Sequence, residues 1–345
     1  MDSYGVLSVI WFVLWGVLWG VYFVLDGYDF GIAMWLPILG ASSESDRTAM
    51  YKVTGPFWDG NEVWLITAGG VTFAAFPLAY SVLFSSLYTP LMILLFCLIL
   101  RGVCTELRFQ WENRCFRLTC DAITTVSSLV AVILLGVAFS NLFRGLPIEY
   151  DSSLDFYMFR GNLIRLLHPY ALLGGVLFVV MFLVHGALYL SWRTQGDLHN
   201  KALCMAKATW PIFLFIFLVY VALTFAWAGL YKNYFIAPPL LALPLLCAFL
   251  FILSGFYLYL KNDSAKALLS SCGGILTLTL TGVMGMFPNL IPSRISDSGH
   301  LSIVNASSSP KTLTIMLVVA LIFVPTVILY QIWAHKKLAC VVKTD

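Results

Sequence analysis

Nine long apolar stretches dominate this chain, and together they leave only one kind of solvent for it. Runs of about 20 residues fall near 6–28, 60–82, 87–108, 121–143, 164–190, 206–230, 235–260, 266–290 and 312–335. A bilayer core about 30 Å thick takes about 20 residues of helix, and helix is required because unpaired backbone groups cannot face lipid. Hydrophobic residues make up 60% of the 345 and charged residues only 11%, against about 25% charged in a soluble domain. In water such a chain would expose large apolar patches. The pattern predicts an all-α integral membrane protein of about nine transmembrane helices, folded as one transmembrane domain. Helices 1–4 are expected over 6–143, helices 5–8 over 164–290 and a peripheral helix 9 over 312–335, as two four-helix bundles plus the last helix. Residues 270–285 are rich in Ser, Thr and Gly, which suits close helix packing rather than lipid contact.

The first apolar run does not read as a cleaved leader. No Lys or Arg precedes Arg47, and Asp26 and Asp29 follow the run, whereas a signal peptide needs a basic start and a shorter core. The eight cysteines (97, 104, 115, 120, 204, 247, 272 and 340) contain no CxxC pair and none sits at metal-ligand spacing from a histidine. Neither a disulfide framework nor a metal site is expected. No basic run or aromatic–basic interleaving suggests a nucleic-acid surface.

Nine spans put the termini on opposite sides, and the distribution of Lys and Arg chooses between the two orientations. With the C-terminus in the cytoplasm, the inner side holds Arg47, Lys52, Arg101, Arg108, Arg114, Arg117, Arg193, Lys201, Lys207, Lys261, Lys266, Lys336, Lys337 and Lys343. The outer side keeps Arg144, Arg160, Arg165, Lys232, Arg294 and Lys311. The 14-to-6 split of the 20 basic residues predicts an external N-terminus and a cytoplasmic C-terminus.

Ionisable residues inside apolar runs are costly and need a reason. Asp26 and Asp29 close the first run and Asp59 and Glu62 open the second, each pair at i, i+3 and so on one helix face. The third run ends in Arg101, Glu106 and Arg108. In the predicted topology all three places lie on the cytoplasmic side, so acids from helices 1 and 2 face arginines from helix 3. Ion pairing and capping of helix 2 would account for single residues. As a set, carboxylates at the side where protons enter suggest a proton relay. The two histidines of the fifth run, His168 and His185, are 17 residues apart, or about 25 Å along a helix, and cannot share an iron. Gly16-xxx-Gly20 and Gly27-xxx-Gly31 could let helix 1 approach a neighbour closely.

Four segments in register carry a family resemblance: Leu25-Asp-Gly-Tyr-Asp-Phe-Gly31; Gly55-Pro-Phe-Trp-Asp-Gly-Asn-Glu-Val-Trp-Leu65 with Thr67-Ala-Gly-Gly70; Arg101-Gly-Val103 leading to Glu106 and Arg108; and Leu172-Leu-Gly-Gly175 with His185-Gly-Ala-Leu-Tyr189. Over helices 1 to 5 the chain resembles subunit II, the smaller subunit, of cytochrome bd-type quinol oxidases. The second half matches in hydropathy and helix count.

The resemblance implies a multi-pass protein of the bacterial cytoplasmic (inner) membrane. Its partner would be a larger subunit I that carries haem b, haem d and the quinol site, with quinol as the substrate. It leaves open a small accessory subunit. Subunit II would support the larger subunit and supply part of a cytoplasmic proton path, with no cofactor ligand of its own. Asp59 would be the intake acid and Asp29 would support it, with Asp26 and Glu62 as further proton-transfer candidates. Trp58, Gly60, Asn61, Arg101, Glu106 and Arg108 would serve at the subunit contact or as structural support. A proton-coupled secondary transporter would also show acids near broken helices, usually near the midplane with inverted repeats.

Overall fold

A computed structural model describes residues 3–41, 43–153, 156–236, 238–338 and 341–343. The chain begins with α1 (Ser3–Leu39), the amphipathic α2 (Glu44–Thr54), α3 (Trp58–Ala75), α4 (Pro77–Ser86), α5 (Tyr88–Leu107) and α6 (Arg114–Arg144). A hairpin of β1 (Ile148–Asp151) and β2 (Phe156–Phe159) and a single turn, α7 (Leu163–Leu166), lead to α8 (Pro169–Arg193). After β3 (Thr194–Gln195) come α9 (Asp197–Trp227), α10 (Tyr231–Ile236), α11 (Ala242–Phe256) and α12 (Ser264–Met286). The chain closes with β4 (Asn289–Ile291), β5 (Leu301–Ser302), α13 (Ile303–Ala306), α14 (Pro310–Leu338) and β6 (Val342–Lys343), which pairs in parallel with β3.

Among the described residues, eight helices are long and apolar enough to cross a membrane: α1, α5, α6, α8, α9, the Pro239–Lys261 segment containing α11, α12 and α14. The remaining predicted span, 60–82, is not one helix. Phe76 leaves helical geometry at φ −133°, ψ 62°, because the ring of Pro77 crowds the residue before it and removes a backbone donor. Two shorter helices, α3 and α4, occupy this stretch.

The first helix also differs from its predicted bounds. α1 runs 37 residues, about 55 Å at the helical rise, so Asp26 and Asp29 lie within it rather than at its end. Hydropathy does not reveal the next helix, the 11-residue α2, because Glu44, Asp46, Arg47 and Lys52 interrupt any apolar run and it is too short for a span. Its start is capped by Ser43, whose Oγ accepts the Asp46 N–H at 2.9 Å.

Burial differs sharply between the helices. In α12, with its Ser, Thr and Gly, 61% of the most apolar window is buried, against 6% in α14, so α12 packs inside while α14 stands at the edge. α1 packs against α3, α6, α8 and α12. The two sets of four predicted helices therefore share one core through α1 and α8. The glycine pairs of helix 1 make these approaches possible: Gly16 meets Val283 and Gly20 meets Leu276 on α12, while Gly27 and Gly31 meet Phe182 and Gly186 on α8. Of the eight cysteines, seven are free thiols and Cys340 lies outside the described residues.

Candidate functional site

The helix ends nearest α2 enclose a set of buried polar side chains from α1, α3 and α5. Asp26 is 0% exposed and Arg101 4% exposed. Arg101 Nη2 donates to Asp26 Oδ1 at 2.7 Å and to Glu62 Oε1 at 2.5 Å. Its guanidinium carbon lies 4.1 Å from the centre of the Phe30 ring. One cation thus holds an acid from α1 and an acid from α3, and an aromatic face covers it.

Asp29 is buried beside this bridge with a different partner. Its Oδ2 accepts Asn61 Nδ2 at 2.7 Å, and the same amide donates to Tyr28 Oη at 2.7 Å and to Leu25 O at 3.3 Å. Asn61 therefore ties α3 to α1 over one helical turn. Asp29 Oδ1 and Asp26 Oδ2 are buried with no hydrogen-bond partner among the described residues. Tyr28 stacks on Tyr189 of α8, with centroids 3.8 Å apart and planes 6° apart. A small cavity touches Asp29, Arg101, Thr54, Trp58 and Thr105, with about 30 Å³ open to water centres, enough for one or two waters.

Asp59 stands apart from this set. It is exposed in the first turn of α3, its Oδ1 accepts the Gly60 N–H at 2.7 Å, and among the described residues it makes no ion pair. The arginine expected near it is instead committed to Asp26 and Glu62. Phe57, which offers no side-chain hydrogen bond, occupies the N-cap of α3, so the expected acid capping is confined to Asp59 and its own neighbour. Unlike Asp59, its chain neighbour Trp58 lines the cavity. Its ring packs on Gly102, where a Cβ would come within 3.1 Å of it, and its Nε1 donates to Glu106 at 3.2 Å. Gly60 O accepts Gln331 Nε2 of α14 at 3.4 Å.

Arg108 belongs to a second, structural cluster. It is fully buried and bidentate to Asp121, at 2.6 and 3.3 Å, with a third bond to Glu44 at 3.0 Å. Arg47 and Arg117 also reach this group. Lys201 of α9 pairs with Asp46 at 3.1 Å, so the first turn of α2 is pinned by charge to the spanning helices. Tyr51 of α2 lies under Arg108, and burial, then the charge of Asp121, raises its pKa well above the usual tyrosine range. Asp121 and Glu44 are not among the acids that the sequence singles out; Asp121 lies two turns into α6 after Arg114 and Arg117, and Glu44 opens the charged α2.

His185 is wholly buried with both ring nitrogens engaged, one 3.0 Å from Ser271 Oγ and the other 3.0 Å from Val24 O. It joins α1, α8 and α12 and does not fit axial ligation of a haem. His168 caps α8 by accepting the Ala171 N–H at Nδ1. Among the described residues no group of three or more His, Cys, Asp or Glu is placed to hold a metal.

Comparison with known proteins identifies the family. The sequence profile of the family "Cytochrome bd terminal oxidase subunit II" matches residues 7–338. The chain is 34% identical to cytochrome bd-I ubiquinol oxidase subunit 2 of Escherichia coli (strain K12), over 98% of this chain and 96% of that one. It is 33% identical to cytochrome bd ubiquinol oxidase subunit 2 of Bacillus subtilis (strain 168), over 95% of each. In fold it resembles a chain of the bd oxidase from Geobacillus thermodenitrificans, with a TM-score of 0.76 at 14% identity, covering 94% of this chain and 98% of that one. This multi-pass membrane chain therefore belongs to the cytochrome bd terminal oxidase subunit II family and is a component of a respiratory quinol oxidase complex.

Proposed function

We propose that the chain supports a larger haem-bearing subunit I in the bacterial cytoplasmic membrane and carries part of the path by which cytoplasmic protons reach the oxygen-reducing site. Haem b and haem d, held by the partner, supply the electron transfer and oxygen chemistry, with quinol as the reductant. The observation that carries the proton reading is a buried cluster of three carboxyl groups and one guanidinium beside a water-sized cavity. With more acids than bases in a dry place, the cluster can take up and release a proton without losing the Asp26–Arg101–Glu62 bridge. Asp59, exposed next to Trp58 at the edge of the cavity, collects the proton. Water in the cavity passes it to Asp29, which lacks an arginine contact and has one free oxygen.

The test is quinol-driven oxygen uptake per haem in purified complex. Asp59→Asn and Asp29→Asn are each expected to leave assembly and the haem spectrum intact and to slow turnover roughly tenfold. That is less than the ~10²-fold typical of a positioned acid–base group, because water can partly replace either one. Normal turnover in both variants would defeat the relay. Loss of the complex itself would make these acids structural.

The proposed orientation places the α2 end in the cytoplasm, on the 14-to-6 distribution of basic residues. A cysteine introduced at Ser153, in the hairpin, should react with a membrane-impermeant maleimide in intact cells. The exposed Cys115 should react only after permeabilisation, with Cys204 and Cys340 replaced by serine. The reverse pattern would invert the topology.

A further inference from the structure

Three of the six basic residues at the outer helix ends gather in one place. Leu146 N–H donates to Pro292 O at 2.9 Å and Arg294 N–H donates to Leu146 O at 3.1 Å, fixing the segment after α6 against the segment after α12. Asn141 Nδ2 donates to Leu166 O at 2.8 Å and holds the α7 turn on α6. These bonds bring together Arg144 from the last turn of α6, Arg165 from α7, and Arg294. Burial, and then the charges of Arg144 and Arg165, lower the pKa of Arg294 from its ordinary value. Burial, followed by the charges of Arg144 and Arg294, brings His168 down to about 4.

Five other arginines, Arg47, Arg101, Arg108, Arg117 and Arg160, pair with acids. Among the described residues no carboxylate pairs with Arg144, Arg165 or Arg294. His168 Nε2 in the same place is buried without a hydrogen-bond partner among them. Three guanidinium groups held together repel one another, and an anion that accepts several of their N–H bonds relieves that repulsion. The N-terminus of the 25-residue α8, capped by His168, adds its own positive end.

We infer that Arg144, Arg165 and Arg294 form a binding site for the phosphate of an anionic phospholipid headgroup. The surroundings favour a lipid over a free ion. Arg165 sits in a turn whose Ile164 is 80% exposed, and Leu163 and Leu167 beside it are exposed as well. Trp227, with its ring 5.8 Å from the Arg144 guanidinium carbon, is also exposed. Exposed apolar side chains and a tryptophan around cations at the helix ends match the depth where headgroup meets acyl chain.

The test uses the purified oxidase complex containing this chain, delipidated in detergent and titrated with phosphatidylglycerol or phosphatidylcholine under native mass spectrometry. Wild type should retain phosphatidylglycerol preferentially. Arg165→Gln, at an exposed position, should weaken that retention about fivefold, the change expected for one arginine near an anionic surface. Arg144→Gln combined with Arg294→Gln should weaken it further. If the double variant fails to assemble, Arg165→Gln still decides. Equal retention of the two lipids, or no effect of Arg165→Gln, would overturn the site. Displacement of the lipid by millimolar inorganic phosphate would mark a soluble-anion site and also overturn the lipid assignment. A variant that loosens the subunits without altering lipid retention would point to acids of a neighbouring subunit instead, and would overturn it too.

Discussion

Arg101→Leu is expected to destabilise the folded chain by about 3–5 kcal/mol, the usual cost of removing one partner from a buried ion pair. That is a large fraction of the stability a protein commonly has, so most assembled complex should be lost from the membrane. The variant leaves Asp26, fully buried, and Glu62 facing each other without the cation they share at 2.7 and 2.5 Å. It also removes the guanidinium from the Phe30 ring. The sign of the effect can be separated from simple loss of volume. Adding Asp26→Asn to Arg101→Leu removes the fully buried one of the two unpaired acids, leaving the partly exposed Glu62, and should restore part of the yield. The measurements are the amount of complex extracted and its thermal unfolding. Normal yield and melting of Arg101→Leu alone would show that the bridge contributes little to folding.

Gly186→Leu should be the second severe variant, because it strikes the crossing of α1 and α8. A Cβ on Gly186 would lie 2.6 Å from the carbonyl carbon of Gly31 and 2.7 Å from the Ile32 nitrogen, and one on Gly31 would run into the Phe182 carbonyl oxygen. These obstacles are backbone atoms that cannot turn aside. The helices would have to separate, and with them the Tyr28–Tyr189 stack and the bonds of His185 to Val24 and Ser271. Gly186→Ala should cost about 1–3 kcal/mol, the usual range for overpacking a close-packed interior, and Gly186→Leu more. The expected readout is a stepwise fall in melting temperature from glycine to alanine and no recoverable complex with leucine. An alanine variant that melts like wild type would mean that the crossing has more slack than these distances allow.

Much of the architecture was legible from hydropathy alone, because lipid imposes a local condition on each segment: about 20 apolar residues, closed on themselves by helical hydrogen bonds. The inward position of α12 could likewise be read from its small and hydroxylated residues. The break at Phe76-Pro77 was written in the sequence but hidden by hydropathy, which averages across a proline. The extension of α1 to Leu39 was hidden for the opposite reason, since a helix can continue past the bilayer wherever packing replaces lipid. α2 carries no apolar run, and its charge pairs to Arg108 and Lys201 and its buried Ala49, Met50, Tyr51 and Val53 reveal why it forms where it does.

For the polar residues, sequence spacing determined which acids share a helix face, and the tertiary structure decided what each one meets. Asp26 and Asp29 are one turn apart, yet Asp26 bonds to Arg101, 75 residues away, while Asp29 bonds to Asn61. Asp59 and Glu62 have the same spacing, yet Glu62 joins the bridge and Asp59 faces outward. Periodicity fixes angles around one helix axis and says nothing about the rotation of that helix against its neighbours. That rotation follows from where two backbones can touch, at Gly31 on Gly186 and Gly20 on Leu276, and those contacts exist only once the helices are packed.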